Sequence, residues 1–210
     1  MANPVTRGVS KLTQFSGRDT RGEFWPYAGA VFALMMLVGA LAGGVVMSQI
    51  IGDMAPYATA SQIAPTASYD PDVLEVVEAP PTATPPMPDM EPLFMVQGVM
   101  AILAISLLAA AVTRRLHDRN LPGWVGLAPV PFVLFGIAGF AMMFRDISGS
   151  GMPNFGLFGL LAINNLLYLV ALISLIVLLA LKGTPGANRY GAAKAASQEP
   201  RPVEDWSRSS

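Results

Sequence analysis

The sequence contains no cysteine and only one histidine, His117. The absence of cysteine excludes disulfides, thiol nucleophiles and cysteine-ligated metals, and a single histidine excludes a multi-histidine metal site within one chain. We therefore expect no cofactor. A P-loop, a Gly-x-Ser-x-Gly nucleophile elbow and a His-Glu-x-x-His zinc helix are also absent, so no common catalytic signature predicts an enzyme.

Charge is also scarce in this chain of 210 residues. Charged residues make up 13% of the sequence and hydrophobic residues 53%, with a mean hydropathy of +0.50. Soluble domains carry about 25% charged residues, so the composition indicates a membrane protein. The formal net charge of −1 predicts no nucleic-acid partner.

Four stretches are long and apolar enough to cross a hydrocarbon core, which takes about 20 residues. They cover residues 25–51, 93–113, 124–144 and 155–181. Backbone polar groups in lipid must be satisfied within the segment, so each stretch is predicted to be a helix. The fold class that follows is an all-α membrane protein with a four-transmembrane-helix bundle. A cleaved signal peptide is the alternative for the first stretch, but its apolar run is too long.

The basic residues predict the orientation of these helices. Twelve of the thirteen lie in residues 1–24, between helices two and three, or after helix four, and only Arg145 lies on the opposite side. By the positive-inside rule, the side with the twelve is cytoplasmic. We therefore expect both termini in the cytoplasm, with residues 1–24 forming an N-terminal arm.

Two polar segments flank or interrupt the predicted membrane domain of residues 25–51 and 93–191. Residues 52–92 hold nine prolines and seven acidic residues but no lysine or arginine. Such a composition cannot bury enough apolar surface to offset its chain entropy, so we predict a disordered, proline-rich, acidic extracytoplasmic loop. It serves either as a solvated spacer or as a docking strip for a partner. A disordered cytoplasmic tail is predicted for residues 192–210.

Three polar motifs lie where predicted helices meet the cytoplasmic interface. The first covers residues 15–25, the second covers residues 114–118 and 121–124, and the third covers residues 183–191. In an antiparallel bundle the three motifs come to one level. Together they resemble the signature of the bacterial domain of unknown function 805, a family that includes YhaH- and YhaI-type inner-membrane proteins. The residues that carry the resemblance are Phe15, Gly17, Arg18, Arg21, Phe24 and Trp25, then Arg114 to Asp118 with Gly123 and Trp124, then Gly183, Gly186, Asn188, Tyr190 and Gly191.

The resemblance implies a multi-pass protein of the bacterial inner membrane and brings no activity with it. Two departures from the family pattern are the length of residues 52–92 and the pair Ala192-Ala193, where an Asp-Pro pair often follows the third motif. Neither departure touches the three motifs.

From the residues themselves, the motifs form a candidate site for an anionic lipid headgroup or a partner protein. Basic residues near the interface attract anionic headgroups, and guanidinium groups bind phosphate with two parallel hydrogen bonds. The alternative is that the arginines only set topology and pair with nearby carboxylates. The candidate residues are Arg18, Arg21, Arg114, Arg115, His117, Asp118, Asn188 and Arg189.

The predicted function is therefore a non-enzymatic membrane protein whose partners are lipids, with a second copy or another membrane protein as further candidates. A small-solute transporter or channel component working as an oligomer is the alternative. It draws on Pro129 and Pro131, which should kink helix three or loosen its first turns, and on the intramembrane amides Asn164 and Asn165. A lipid-directed enzyme using His117 and Asp118 is a weaker alternative. Gly39 and Gly43 form a Gly-x-x-x-Gly motif that permits close helix packing.

Overall fold

The computed structural model describes residues 3–63 and 88–192. Those residues contain five α-helices and one 3-10 helix, and the other regular feature is an isolated bridge between Asn188 and Gly191. The helices are α1 (Pro4–Ser10), α2 (Arg21–Ile63), α3 (Glu91–Asp118), α4 (Val130–Ser150) and α5 (Phe155–Ala180), with the 3-10 helix at Gly123–Leu127. The all-α fold class is confirmed.

Four helical spans are long and apolar enough to cross a membrane within the described residues. They run over Arg21–Tyr57, Glu91–Asp118, Gly123–Gly149 and Phe155–Ala180, with mean hydropathies between 2.0 and 2.4. Many of their large apolar side chains are exposed, among them Phe32, Leu41 and Leu166. Exposed apolar surface on this scale is typical of a surface that contacts lipid. The chain is therefore a multi-pass membrane protein.

The helices begin where the sequence supplies capping groups. The Asn3 side chain accepts a hydrogen bond from Val5 N at 3.0 Å at the start of α1, and Glu23 accepts one from Thr20 N at 3.0 Å at the start of α2. The second contact is half of a capping box, in which a glutamate reaches back to the backbone before the helix. Asp89 and Asn154 accept equivalent bonds at the starts of α3 and α5.

Two predicted boundaries are corrected by the structure. The first membrane helix begins at Arg21 and continues to Ile63, beyond the predicted limits of 25–51. The α-helix therefore does not end with the apolar stretch. The predicted loop of 52–92 therefore cannot begin before residue 64, and it ends before Glu91, where α3 begins. Residues 64–87 of that loop and 193–210 of the predicted tail lie outside the described residues.

The third membrane span is divided, as its prolines predict. The 3-10 helix covers Gly123–Leu127, and α4 begins only at Val130, between Pro129 and Pro131. Proline lacks a backbone N–H and is tolerated in the first turn of a helix, so the α-helix starts where both prolines fit. The predicted span of 124–144 thus becomes a 3-10 turn followed by an α-helix that ends at Ser150.

The described residues fall in two compact units. Unit 1 contains the described residues within Met1–Val31, Ser106–Ala128 and Leu172–Ser210, and unit 2 contains those within Phe32–Ile105 and Pro129–Ala171. Within unit 2, α4 and α5 approach closely at Gly139, where an added Cβ would lie 2.5 Å from Leu161 Cδ2. The Gly-x-x-x-Gly motif makes no close helix contact with the described residues of its own chain, because a Cβ at Gly39 would meet only Met100 at 3.9 Å and one at Gly43 would meet nothing within 4 Å.

Candidate functional site

The last turn of α3 brings a buried carboxylate between two buried guanidinium groups. Asp118 Oδ1 accepts a hydrogen bond from Arg18 Nε at 3.0 Å and lies 2.9 Å from Arg18 Nη2 in an ion pair, and Asp118 Oδ2 accepts a hydrogen bond from Arg115 Nη1 at 2.5 Å. The relative exposures of Arg18, Arg115 and Asp118 are 6%, 0% and 7%. Burial without pairing would be very costly for any of these charges, so the three side chains depend on one another.

A second buried pair joins the N-terminal arm to the same turn of α3. Arg114 Nε donates to Asp19 Oδ2 at 2.6 Å, and Asp19 N donates to Arg114 O at 3.2 Å. Arg114 Nη1 also donates to the carbonyls of Lys11 at 2.8 Å and Gln14 at 2.5 Å. We call Arg18, Asp19, Arg114, Arg115 and Asp118 the arginine–aspartate cluster. One side chain, Arg114, thus fixes both ends of the 11–19 segment.

Arginine side chains also occupy the C-terminal end of α5. The last carbonyls of an α-helix have no partner within the helix and carry the negative end of the helix dipole. Here the last three carbonyls of α5 and the carbonyl of Leu181, just after the helix, accept hydrogen bonds from guanidinium groups. The pairs are Arg119 Nη1 to Leu178 O at 3.1 Å, Arg115 Nε to Leu179 O at 2.9 Å, Arg21 Nη1 to Ala180 O at 3.5 Å, and Arg115 Nη2 to Leu181 O.

The segment after α5 is held against Asp118 by its backbone. Thr184 N donates to Asp118 O at 2.8 Å, and Arg18 donates to the carbonyls of Thr184 at 2.8 Å and Gly186 at 2.7 Å. Gly183 makes this approach possible, because a Cβ at that position would lie 1.9 Å from Asp118 Oδ2. The third sequence motif therefore needs glycine at position 183 for a steric reason.

The end of the third motif packs against His117. The imidazole stacks on the Tyr190 ring with centroids 3.7 Å apart and an interplanar angle of 7°. Asn188 Nδ2 donates to His117 O at 2.9 Å, and the Arg189 guanidinium lies 4.8 Å from the Tyr190 ring centroid. His117 Nδ1 is buried and has no hydrogen-bond partner among the residues that the structure describes. His117 thus serves as a packing surface for the last motif.

The three motifs that meet in unit 1 also identify the family. A family model described as a protein of unknown function, DUF805, matches residues 12–192. The chain belongs to the DUF805 family. This confirms the family resemblance, and the matched range includes all three motifs. No curated protein and no solved structure matches the chain.

In this DUF805 chain, the structure places all eight predicted site residues in unit 1 but divides them by exposure. Arg18, Arg114, Arg115 and Asp118 are buried and bonded within the chain, as the topology-and-pairing alternative predicts. Arg21 and Arg189 are exposed, and His117 and Asn188 are half-buried. Asp19, Arg119 and Thr184 belong to the same network and are absent from the predicted set. Their short separation in sequence from the predicted residues could have identified them. That separation becomes informative only once the three motifs are known to meet.

The two intramembrane amides belong to unit 2 and differ from each other. Asn164 Nδ2 donates to the carbonyl of Phe132 in α4 at 3.0 Å. Asn165 is exposed and makes no hydrogen bond to any residue in the described part of the chain. The described residues also contain no group of three or more His, Asp or Glu side chains that could hold a metal ion.

Proposed function

We propose that this DUF805 chain is a non-enzymatic protein of the bacterial inner membrane whose unit 1 faces the cytoplasm and binds anionic lipid headgroups. The observation behind the proposal is an excess of positive charge in unit 1. Its described residues include nine basic and three acidic side chains. The basic residues are Arg7, Lys11, Arg18, Arg21, Arg114, Arg115, Arg119, Lys182 and Arg189, and the acidic residues are Asp19, Glu23 and Asp118.

The acidic residues are already neutralised inside unit 1. Asp118 pairs with Arg18 and Arg115, Asp19 pairs with Arg114, and Glu23 pairs with Arg7. No described carboxylate of the unit is left to compensate the exposed cations. An excess of positive charge at the membrane surface attracts anionic headgroups by about 1 kcal/mol per lysine or arginine.

The headgroup site that we propose uses the exposed cations and leaves the buried ones to the fold. Arg21, Lys182 and Arg189 are exposed, and they lie at the start of α2 and just after α5, where helices meet an interface. Arg18, Arg114 and Arg115 are buried and would have to leave Asp19 and Asp118 to reach a phosphate. The proposed headgroup site therefore contains fewer arginines than the three motifs do.

The contacts of His117 and Asp118 favour a non-enzymatic role over acid–base catalysis. A general base needs to be held by a group that orients its ring. The Asp118 carboxylate is engaged by Arg18 and Arg115 instead, and His117 stacks on Tyr190. These contacts support a structural role for both residues.

The proposal can be tested by mass spectrometry of lipids that remain with the protein in native nanodiscs. In the triple variant Arg21→Gln, Lys182→Gln, Arg189→Gln, we expect the enrichment of anionic over zwitterionic lipid to fall roughly tenfold or more, because three attractive charges are lost. The matched control is Arg21→Lys with Arg189→Lys, which keeps the charge and should keep the enrichment.

Unchanged enrichment in a correctly folded triple variant would overturn the proposal. Loss of a co-purifying protein, with lipid content unchanged, would instead assign the exposed cations to a protein partner. Removing Arg18 or Arg115 is not a suitable test, because these side chains hold unit 1 together and their loss would confuse binding with folding.

A further inference from the structure

The neighbouring side-chain amides of α5, Asn164 and Asn165, lie at about the same depth in the membrane but differ in their hydrogen bonding. Asn165 lies about 15 Å along the helix axis from Phe155, close to the middle of a hydrocarbon core that is about 30 Å thick. A polar group that faces hydrocarbon without a partner is costly there. Asn164 avoids that cost by donating to Phe132 O at 3.0 Å, whereas Asn165 is exposed and unbonded in the described residues.

The surroundings of Asn165 form a continuous exposed seam on α5. Its members are Phe155, Phe158, Ala162, Asn165 and Leu169, which follow one another at alternating spacings of three and four residues and are all exposed. We call these residues the Asn165 seam. The adjacent stripe of Leu157, Leu161, Asn164 and Tyr168 is buried or half-buried within unit 2. The two stripes therefore separate a face of α5 that packs within the chain from a face that is exposed.

We propose that α5 pairs with α5 of a second copy of this chain along the Asn165 seam, with the two Asn165 side chains hydrogen-bonded to each other. Spacings of three and four residues are those of a helix pair in which side chains of each helix interlock with the other. A single asparagine in such a seam fixes the register and the number of helices.

Three features single out a second copy as the occupant of this seam. Copies of one chain share one orientation in the membrane, so their α5 helices run parallel and place both Asn165 residues at the same depth. The carboxamide is both donor and acceptor, so two of them satisfy each other across a twofold axis, the usual symmetry of homodimers. Ala162, one turn before Asn165, is small enough for the helices to approach closely.

The seam can be tested by cysteine cross-linking of the full chain in liposomes, because the natural sequence has no cysteine. We expect Ala162→Cys to form a disulfide-linked dimer on oxidation. The matched control is Leu160→Cys, which is also exposed on α5 but points more than about 90° away from Asn165 at about 100° per residue. It should remain monomeric under the same conditions.

The role of the amide can be tested by measuring dimerisation through energy transfer between labelled chains at increasing dilution in lipid. We expect Asn165→Leu to weaken dimerisation roughly three- to twentyfold, the range expected for one interhelical hydrogen bond. The variant should fold normally, since the wild-type side chain has no partner among the described residues of its own chain.

Several outcomes would overturn the inference. One is a wild-type chain that stays monomeric at high protein-to-lipid ratios, and another is dimerisation that Asn165→Leu leaves unchanged. Cross-linking through Ala40→Cys rather than Ala162→Cys would move the interface to the exposed Ala40 and Gly44 of α2. Co-purification of a different membrane protein that is lost in Asn165→Leu would assign the seam to that protein. None of these outcomes depends on whether unit 1 binds lipid headgroups.

Discussion

The two units of this chain differ in the chemistry of their buried side chains. In the described residues, every buried charged side chain belongs to unit 1, namely Arg18, Asp19, Arg114, Arg115 and Asp118. The buried residues of unit 2 are apolar, such as Val46, Met143 and Leu161, and most of its large side chains are exposed. The apolar residues that dominate the composition therefore contribute little burial, and the few charged ones account for much of the specific contact.

The physics of lipid explains this division. Lipid chains are as apolar as leucine, so burying an apolar side chain against another helix yields little driving force inside the bilayer. Hydrogen bonds to groups that would otherwise lack partners discriminate more strongly between arrangements. In unit 1, guanidinium groups donate to the carbonyls at the end of α5, which lack partners within the helix, and to the backbone of the following turn. These hydrogen bonds specify which segments of the chain meet.

The largest expected difference in stability between the two units comes from removing the charge of Asp118. We expect Asp118→Asn to lower the free energy of unfolding by about 3–5 kcal/mol, because Arg18 and Arg115 would remain buried with an uncompensated charge. The control is Arg145→Gln, which breaks the exposed pair with Glu91 in unit 2 and should cost less than about 1 kcal/mol.

Both variants can be measured by denaturant titration in mixed micelles. A loss for Asp118→Asn no larger than that for Arg145→Gln would mean that burial does not distinguish the two units. The arginine–aspartate cluster would then contribute specificity without stability.

A smaller effect is expected from the steric condition at Gly183. Gly183→Ala would force the Asp118 carboxylate away from a methyl group that would otherwise lie within 1.9 Å, and we expect a loss of about 1–3 kcal/mol, typical of overpacking. Gly29→Ala is the matched control in the same unit, because a Cβ there meets nothing within 4 Å.

In an exposed helix interior, alanine is favoured over glycine by up to about 1 kcal/mol, so the control should be neutral or stabilising. The two variants therefore differ in sign, and thermal unfolding in detergent distinguishes them. A neutral Gly183→Ala would mean that the 183–191 segment moves aside without disturbing Asp118.

The composition and the length of the apolar stretches were sufficient to predict the four membrane helices. The three motifs predicted that Arg18, Arg115 and Asp118 come together, although they lie up to 100 positions apart. Sequence could not assign partners within that group, because any of its arginines can pair with any nearby carboxylate. Exposure decides the role of each, and exposure depends on packing that no single motif encodes.

The helix boundaries show a second limit of prediction from apolar runs. Hydropathy locates the segment that fits a membrane, but a helix ends where its backbone hydrogen bonds end. The α2 helix therefore continues beyond Ile51 to Ile63, and α3 continues past the predicted residue 113 to Asp118. That last extension matters most, because it places Arg114, Arg115 and Asp118 on one helical turn.

The smallest expected effect separates the two asparagines of α5 and sharpens the comparison within unit 2 itself. Asn164→Leu removes the hydrogen bond to Phe132 O, so we expect the free energy of unfolding of the monomer to fall by about 0.6–2 kcal/mol. Asn165→Leu should leave the same quantity unchanged or raise it slightly, because the amide has no partner among the described residues of its own chain and leucine suits lipid better. Unfolding titrations at high dilution in lipid, where monomers dominate, would resolve the difference. Equal losses for the two variants would show that Asn165 stabilises its own chain, and the case for a partner helix at that face would fall with it.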